Sequence, residues 1–174
     1  MKVQKIIKQF TDQNRLHYFN LYWFMKIYTS YFANLKNIEA AGIYPVAICC
    51  KVPKFFTNPN MCSVAPTDSI LFEYKNSQQT EEDWLHYKER YYNEVLVAYR
   101  FHPEYFIDKL EYFSGGGDVC LLCYEKPDDR CHRHLLAEWF NEKMPELNID
   151  EYPVYPKKKE KKEEIPTPHC DALF

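Results

Sequence analysis

Residues 118–140, DVCLLCYEKPDDRCHRHLLAEWF, hold three Cys, two His, Glu125, Arg130 and Arg133 within about two dozen positions. A thiol, an imidazole and a carboxyl so close in sequence are the ingredients of nucleophilic and acid–base catalysis. Three chemistries compete for the cysteines. Cys120 and Cys123 have zinc-like spacing, with Cys131 and His132 following, but strand residues three apart face opposite ways and VCLLCY has no turn residues of a zinc knuckle. A phosphatase-type loop needs a Cys, five intervening residues and an Arg; six residues separate Cys123 from Arg130, and the loop carries Pro and Asp instead of Gly. Cys120 and Cys123 are therefore read as small core residues. Cys131 beside His132 stays open between packed cap residues and a reactive thiol, because a Cys at a helix N-terminus next to His is how thiolates are made.

The elements that must position these residues follow from the patterning around them. DVCLLCYE, between the Gly115–Gly117 triplet and KPDDR, is almost continuously apolar, as a central strand covered on both faces would be. MKIYTSYF and YPVAICC read as two earlier strands. EEDWLHYKERYYNEVLVAYR predicts one helix capped by Thr80, and HPEYFIDKLEYFSGG a second, with Pro103 at its first position and Gly115 ending it. A third, CHRHLLAEWFNEKM, carries the stripe Leu135, Leu136, Trp139 and Phe140, with Asp128 or Asp129 as its expected cap. Strands alternating with helices imply an α/β domain of three layers, a mainly parallel sheet with flanking helices in a Rossmann-like, single-domain arrangement. Ligands of such sheets bind beyond the carboxyl ends of the strands, where Glu125 and the start of the last helix meet. Helical spacing turns Cys131 and His132 toward the buried stripe and Arg133 toward a flank, within reach of a phosphate or of Glu138. Thr29 and Ser30 at the end of the first strand, and Lys51 after the second, are expected at the same edge. His86, His102 and the Tyr stripe read as surface or core residues, not as ligands or a base-stacking platform.

Composition narrows the function. The 174 residues carry 22 Lys plus Arg against 25 Asp plus Glu, a net charge of -3, so no global basic field holds a nucleic-acid backbone and any such binding uses a local patch. Three of the four Gly are consecutive, which removes the Gly-rich phosphate loops. Seven Cys in a chain without a signal-peptide pattern or an 18-residue apolar run point to a soluble cytoplasmic protein with reduced thiols. Residues 1–24 read as an N-terminal appendage, 25–155 as the α/β domain, and 156–174, with KKKEKKEE, as a charged disordered tail.

At MKIYTSYF, GIYPVAICCKVPKFF, SVAPT and above all VCLLCYEKPDDRCHRHLLAEWF, the chain resembles the domain-of-unknown-function family 488, in its bacterial and phage-associated branch. The resemblance runs from about residue 25 to 141. It implies a compact α/β domain with Glu125, Cys131, His132 and Arg133 in the family's motif and Thr29, Ser30 and Lys51 near its strand-end positions; it supplies no reaction. Cys49, Cys50 and Lys51 stand where many relatives have an Asp-Val-Arg-like pattern. The expected function is binding, and in an enzyme processing, of a phosphate-bearing ligand, a nucleotide or nucleic-acid end: Glu125 as acid or base, Cys131 or His132 as nucleophile or proton carrier, and Arg133 with the helix N-terminus as anion clamp. No residue pattern names a cofactor, and neither a metal nor a membrane is expected. The competing expectation is a non-enzymatic interaction or inhibitor protein of phage–host type, whose partner is a protein met through an aromatic surface.

Overall fold

The three apolar runs form β1 (Ile27–Tyr31), β2 (Tyr44–Ala47) and β3 (Val119–Cys123) in the computed structural model, which describes residues 25–153. The expected appendage and tail lie outside the described residues. A fourth strand, β4 (Asp150–Glu151), completes a sheet of order β2-β3-β1-β4 in which every pairing is parallel. β3 sits at its centre with all five residues buried, as its unbroken apolar sequence requires. The register pairs Tyr31 with Cys123 and Ala47 with Leu122, so β1, β2 and β3 end together. Alternation along the strands feeds two cores. Ile27, Val46, Ile48, Val119 and Leu121 join the larger one, and Ala47, Cys49, Cys120 and Leu122 the smaller.

The smaller core lies under α1 (Leu35–Ala40), which contributes Ile38, together with Phe32 and Phe56. The larger core takes Ile70 from α2 (Asp68–Asn76), Tyr87 from α3 (Glu81–Arg90), Phe106, Ile107 and Leu110 from α4 (Glu104–Ser114), and Leu135, Leu136, Trp139 and Phe140 from α5 (His132–Lys143). The result is an α/β fold with helices on both faces of a parallel sheet. Thr80 caps α3 in a reciprocal capping box with Asp83, and Gly115 ends α4 at φ 65°, a left-handed conformation that favours Gly.

Two expectations about helices change. The stretch expected as one helix after Thr80 stops being α-helical at Arg90 and continues as a π-helical turn, Tyr91–Val95, then a 3-10 turn, Leu96–Tyr99. The wider turn lets Tyr91 lie wholly inside, its hydroxyl donating to the Val64 carbonyl at 2.7 Å. Neither Asp128 nor Asp129 caps α5. Cys131 holds the N-cap position with no side-chain cap bond, while the Asp129 carboxylate turns back to accept from the Lys126 N–H at 3.1 Å. An Asp that closes its own loop cannot also serve the next helix.

Candidate functional site

The carboxyl ends of β2 and β3 and the first turn of α5 meet around four polar side chains. Beyond β2 the chain still pairs with the sheet, the Ile48 N–H donating to the Leu122 carbonyl at 3.0 Å, and the Asn60 amide brackets Cys49 through its N–H and carbonyl at 3.3 and 2.8 Å. This fixes the Ile48 carbonyl, which accepts from His132 Nε2 at 2.6 Å. A carbonyl only accepts, so Nε2 carries the hydrogen and Nδ1 is left to face the sulfurs. Cys123 Sγ lies 3.7 Å and Cys131 Sγ 3.8 Å from that Nδ1. The edge of the Tyr91 ring packs on the imidazole, with centroids 5.8 Å apart.

Glu125 stands on the other side of the thiols. Its Oε2 accepts from Cys123 Sγ at 2.9 Å and lies 3.3 Å from Cys131 Sγ. Cys123, Cys131 and His132 are buried and Glu125 is half-buried, so the carboxylate is the cluster's contact with solvent.

Electrostatics separates the two thiols. Burial alone would push the Cys131 thiol up, but hydrogen bonding from Cys123 and His132, with the charges of His132 and Arg133, outweighs it and holds the thiol down to about 5. Cys123 moves the other way, raised by its hydrogen bond with Cys131 and then by burial. Burial pushes the Cys49 thiol up to about 11 and raises Cys120 as well. His132 is raised against the effect of burial by its bond to Cys131, and Glu125 is lowered against burial by the Cys123 hydrogen bond. These directions favour negative charge on Cys131 and positive charge on His132, with the proton kept on Cys123. The positive end of the α5 dipole and its uncapped N–H groups favour the same charge.

Arg133 does not point to a flank. Its side chain is fully buried, its guanidinium donating to the carbonyls of Glu125 and Lys126 at 2.8 Å each and to the Glu151 carboxylate at 3.2 and 3.3 Å. Glu138, its expected acid, instead receives Lys88 at 2.8 Å. The physical reason is the loop after β3, which turns the Glu125 carbonyl and the Lys126 carbonyl, the latter already accepting from the Asp129 N–H at 3.1 Å, toward the guanidinium. Thr29 and Ser30 are buried but do not reach the thiols: the Thr29 hydroxyl donates to Glu151 at 2.6 Å, and the Ser30 hydroxyl accepts from Asn34 at 3.2 Å. Lys51 is exposed, and its carbonyl accepts from Cys49 Sγ at 3.1 Å and the Tyr124 hydroxyl at 2.9 Å. Of the seven expected residues, Glu125, Cys131 and His132 come together, Arg133 braces them from within, and Thr29, Ser30 and Lys51 lie apart.

Three participants escape the sequence reading. Cys123 is a buried core residue as expected and also joins the cluster, a second role signalled by the i, i+2 spacing of Cys123 and Glu125, which puts both on one side of an extended chain. The Ile48 carbonyl and Glu151 carry no local signal. Cys123, Cys131 and His132 are also, among the described residues, the three soft donors whose ligand atoms lie within 4.8 Å of one another, a set whose chemistry suits a zinc-type ion. No helix of the described residues is long and apolar enough to cross a membrane.

No curated protein and no solved structure matches the chain. The family model described as the active DUF488-N3 subclade matches residues 51–144, a segment that holds Glu125, Cys131, His132, Arg133 and Lys51. That match spans more than half of the chain, which therefore belongs to the DUF488 family.

Proposed function

We propose that the protein is a cysteine-dependent group-transfer enzyme acting on a phosphate-bearing ligand at the carboxyl edge of the sheet. The observation that carries this reading is the orientation of His132. With its Nε2–H held by the Ile48 carbonyl at 2.6 Å, the imidazole presents Nδ1 to Cys131 Sγ at 3.8 Å, the arrangement of a nucleophile, a base and a third group that aims the base. Cys131 attacks the phosphorus of the bound ligand, the bond to the leaving oxygen breaks and that oxygen departs with the His132 proton; water then attacks the thiophosphate, gives a proton back to His132 and releases the Cys131 thiolate, while Glu125 exchanges protons with solvent. The free N–H groups at the start of α5 stabilise the negative charge that develops on the transferred group. Arg133 acts as a positioning residue that fixes the loop between β3 and α5. The description of the matched subclade as active agrees with this reading.

Iodoacetamide alkylation followed by peptide mass spectrometry tests it in two parts. Cys131 should be modified at a rate that rises with pH through a midpoint near 5, because only the thiolate reacts. Inorganic phosphate or a nucleoside monophosphate should slow that reaction several-fold against chloride at equal ionic strength. An unreactive Cys131, or stoichiometric zinc in protein purified without chelator, overturns the nucleophile; full reactivity in the presence of every phosphate probe overturns the ligand class.

A second reading rests on a different surface. Tyr105 and Tyr112, seven residues apart on α4, are 57% and 84% exposed, and Phe101 just before the helix is 81% exposed. Such a stripe suits a protein partner. On this reading Tyr112→Ala with Phe101→Ala abolishes the biological effect while Cys131→Ser leaves it intact.

A further inference from the structure

We propose that Cys123 is a resolving cysteine, which captures the oxidised form of Cys131 as a disulfide and so makes the site a reversible peroxide-sensitive centre. The geometry behind this is the convergence of two sulfurs on two common partners. Both lie within hydrogen-bonding reach of Glu125 Oε2 and of His132 Nδ1, and the ligand atoms of Cys123, Cys131 and His132 all fall within 4.8 Å of one another. One sulfur sits at the end of β3 and the other on the N-cap of α5, within 4.8 Å of each other, and a disulfide brings them to about 2 Å. The other described cysteines are placed differently: Cys49 is tied to the Lys51 carbonyl, Cys50 to the Pro66 carbonyl, Cys62 is exposed, and Cys120 shares the smaller core with Cys123 and Cys131 but stands outside the set that converges on His132.

The steps balance. The Cys131 thiolate attacks one oxygen of hydrogen peroxide, the O–O bond breaks, and hydroxide leaves and takes the His132 proton as water. Cys131 is then a sulfenic acid and Nδ1 a free base. Cys123 gives its proton to Nδ1 and its sulfur attacks the Cys131 sulfur; the S–S bond forms, the S–O bond breaks, and hydroxide departs with that proton as a second water. Two electrons pass from the dithiol to the peroxide, and an external thiol returns them. A sulfenic acid with such a neighbour is protected from irreversible over-oxidation, which matters for a thiolate held ready at neutral pH.

The proposal rests on the Cys131 thiolate of the reading above and extends it to oxidation. Treatment with one equivalent of hydrogen peroxide, then intact-mass and peptide analysis, should show loss of two hydrogens, a cross-link between the peptides holding Cys123 and Cys131, and full reversal by dithiothreitol. Cys123→Ser should instead accumulate a dimedone adduct on Cys131, and Cys62→Ser should leave the cross-link unchanged. Serine is a good N-cap, so Cys131→Ser is a folded control that should form no disulfide at Cys123. A wild type that gives a sulfinic acid or a dimedone adduct on Cys131 in place of the cross-link, or that joins another pair, overturns the resolving role. If Cys131 alkylates readily but does not cross-link, this inference fails and the nucleophile stands; if Cys131 does not alkylate at all, the nucleophile itself fails.

Discussion

Replacing His132 by Ala should move the midpoint of Cys131 alkylation up from near 5 toward the ordinary thiol value of about 8.5. The imidazolium is the main opposite charge beside a sulfur that burial would otherwise keep protonated. At pH 6 the shift leaves about 300-fold less thiolate, by the ordinary thiol value of about 8.5. A more basic sulfur is also a better nucleophile, by a factor of roughly 30 for a change of this size, so the rate at pH 6 should fall only about tenfold. The midpoint, not the rate at one pH, is therefore the decisive readout. Glu125→Gln should act with the opposite sign. Its carboxylate lies 3.3 Å from Cys131 Sγ, and removing a negative charge so near favours the thiolate and lowers the midpoint further. A His132→Ala protein with native circular dichroism and an unmoved midpoint would refute the ion pair.

Arg133→Ala should destabilise the fold by about 3–5 kcal/mol, toward the lower end because Glu151 keeps access to water. The side chain is fully buried and its donors serve two backbone carbonyls and one carboxylate, so truncation takes the guanidinium from the Glu125 carbonyl, leaves the Lys126 carbonyl with the Asp129 N–H alone and opens a cavity. Against a typical total of about 5–15 kcal/mol, such a loss leaves a marginal protein. Arg133→Lys should recover only part of it, since a single ammonium cannot span a carboxylate and two carbonyls at once. Urea denaturation measures this directly. If Arg133→Ala instead weakens phosphate protection of Cys131 at unchanged stability, Arg133 is an anion clamp after all and the brace is refuted.

The fold was legible where burial dictates composition. VCLLC, entered from a Gly triplet and left through KPDDR, suits a strand covered on both faces, and Thr80, Asp83 and Gly115 mark helix ends through local chemistry that needs no tertiary knowledge. β4 was invisible because Asp150 and Glu151 are two acidic residues without an apolar pattern, held in the sheet by pairing to Tyr28 and Thr29. The π-helical turn was hidden because Tyr87, Tyr91 and Val95 keep helical spacing while the backbone widens between them. That Cys131, His132 and Glu125 come together was legible because they flank one strand–helix junction. Arg133 was misaimed by the same logic: periodicity gives the face of a helix, but the carbonyls that draw Arg133 inward belong to a loop with no period. The group that orients His132 is the main-chain carbonyl of Ile48, an oxygen that any residue type offers whatever its side chain, so residue identity could not reveal it.

Glu151 gathers Thr29, Arg133 and His134 on one carboxylate, and it lies beyond the segment by which the family is recognised, which stops at 144. That segment contains β3 alone of the four strands; β1 and β2 precede it and β4 follows. What identifies the chain and what lets it fold are thus different lengths of polypeptide. A fragment trimmed to residues 51–144 would keep the thiols, the imidazole and Glu125, yet lose the Ile48 oxygen that aims the base, both strands that flank β3, and the counter-charge of a buried guanidinium. Any shorter piece used for crystallisation or chemical shift assignment must therefore keep at least residues 25–152, since the Tyr152 N–H still pairs with the Thr29 carbonyl at 2.8 Å.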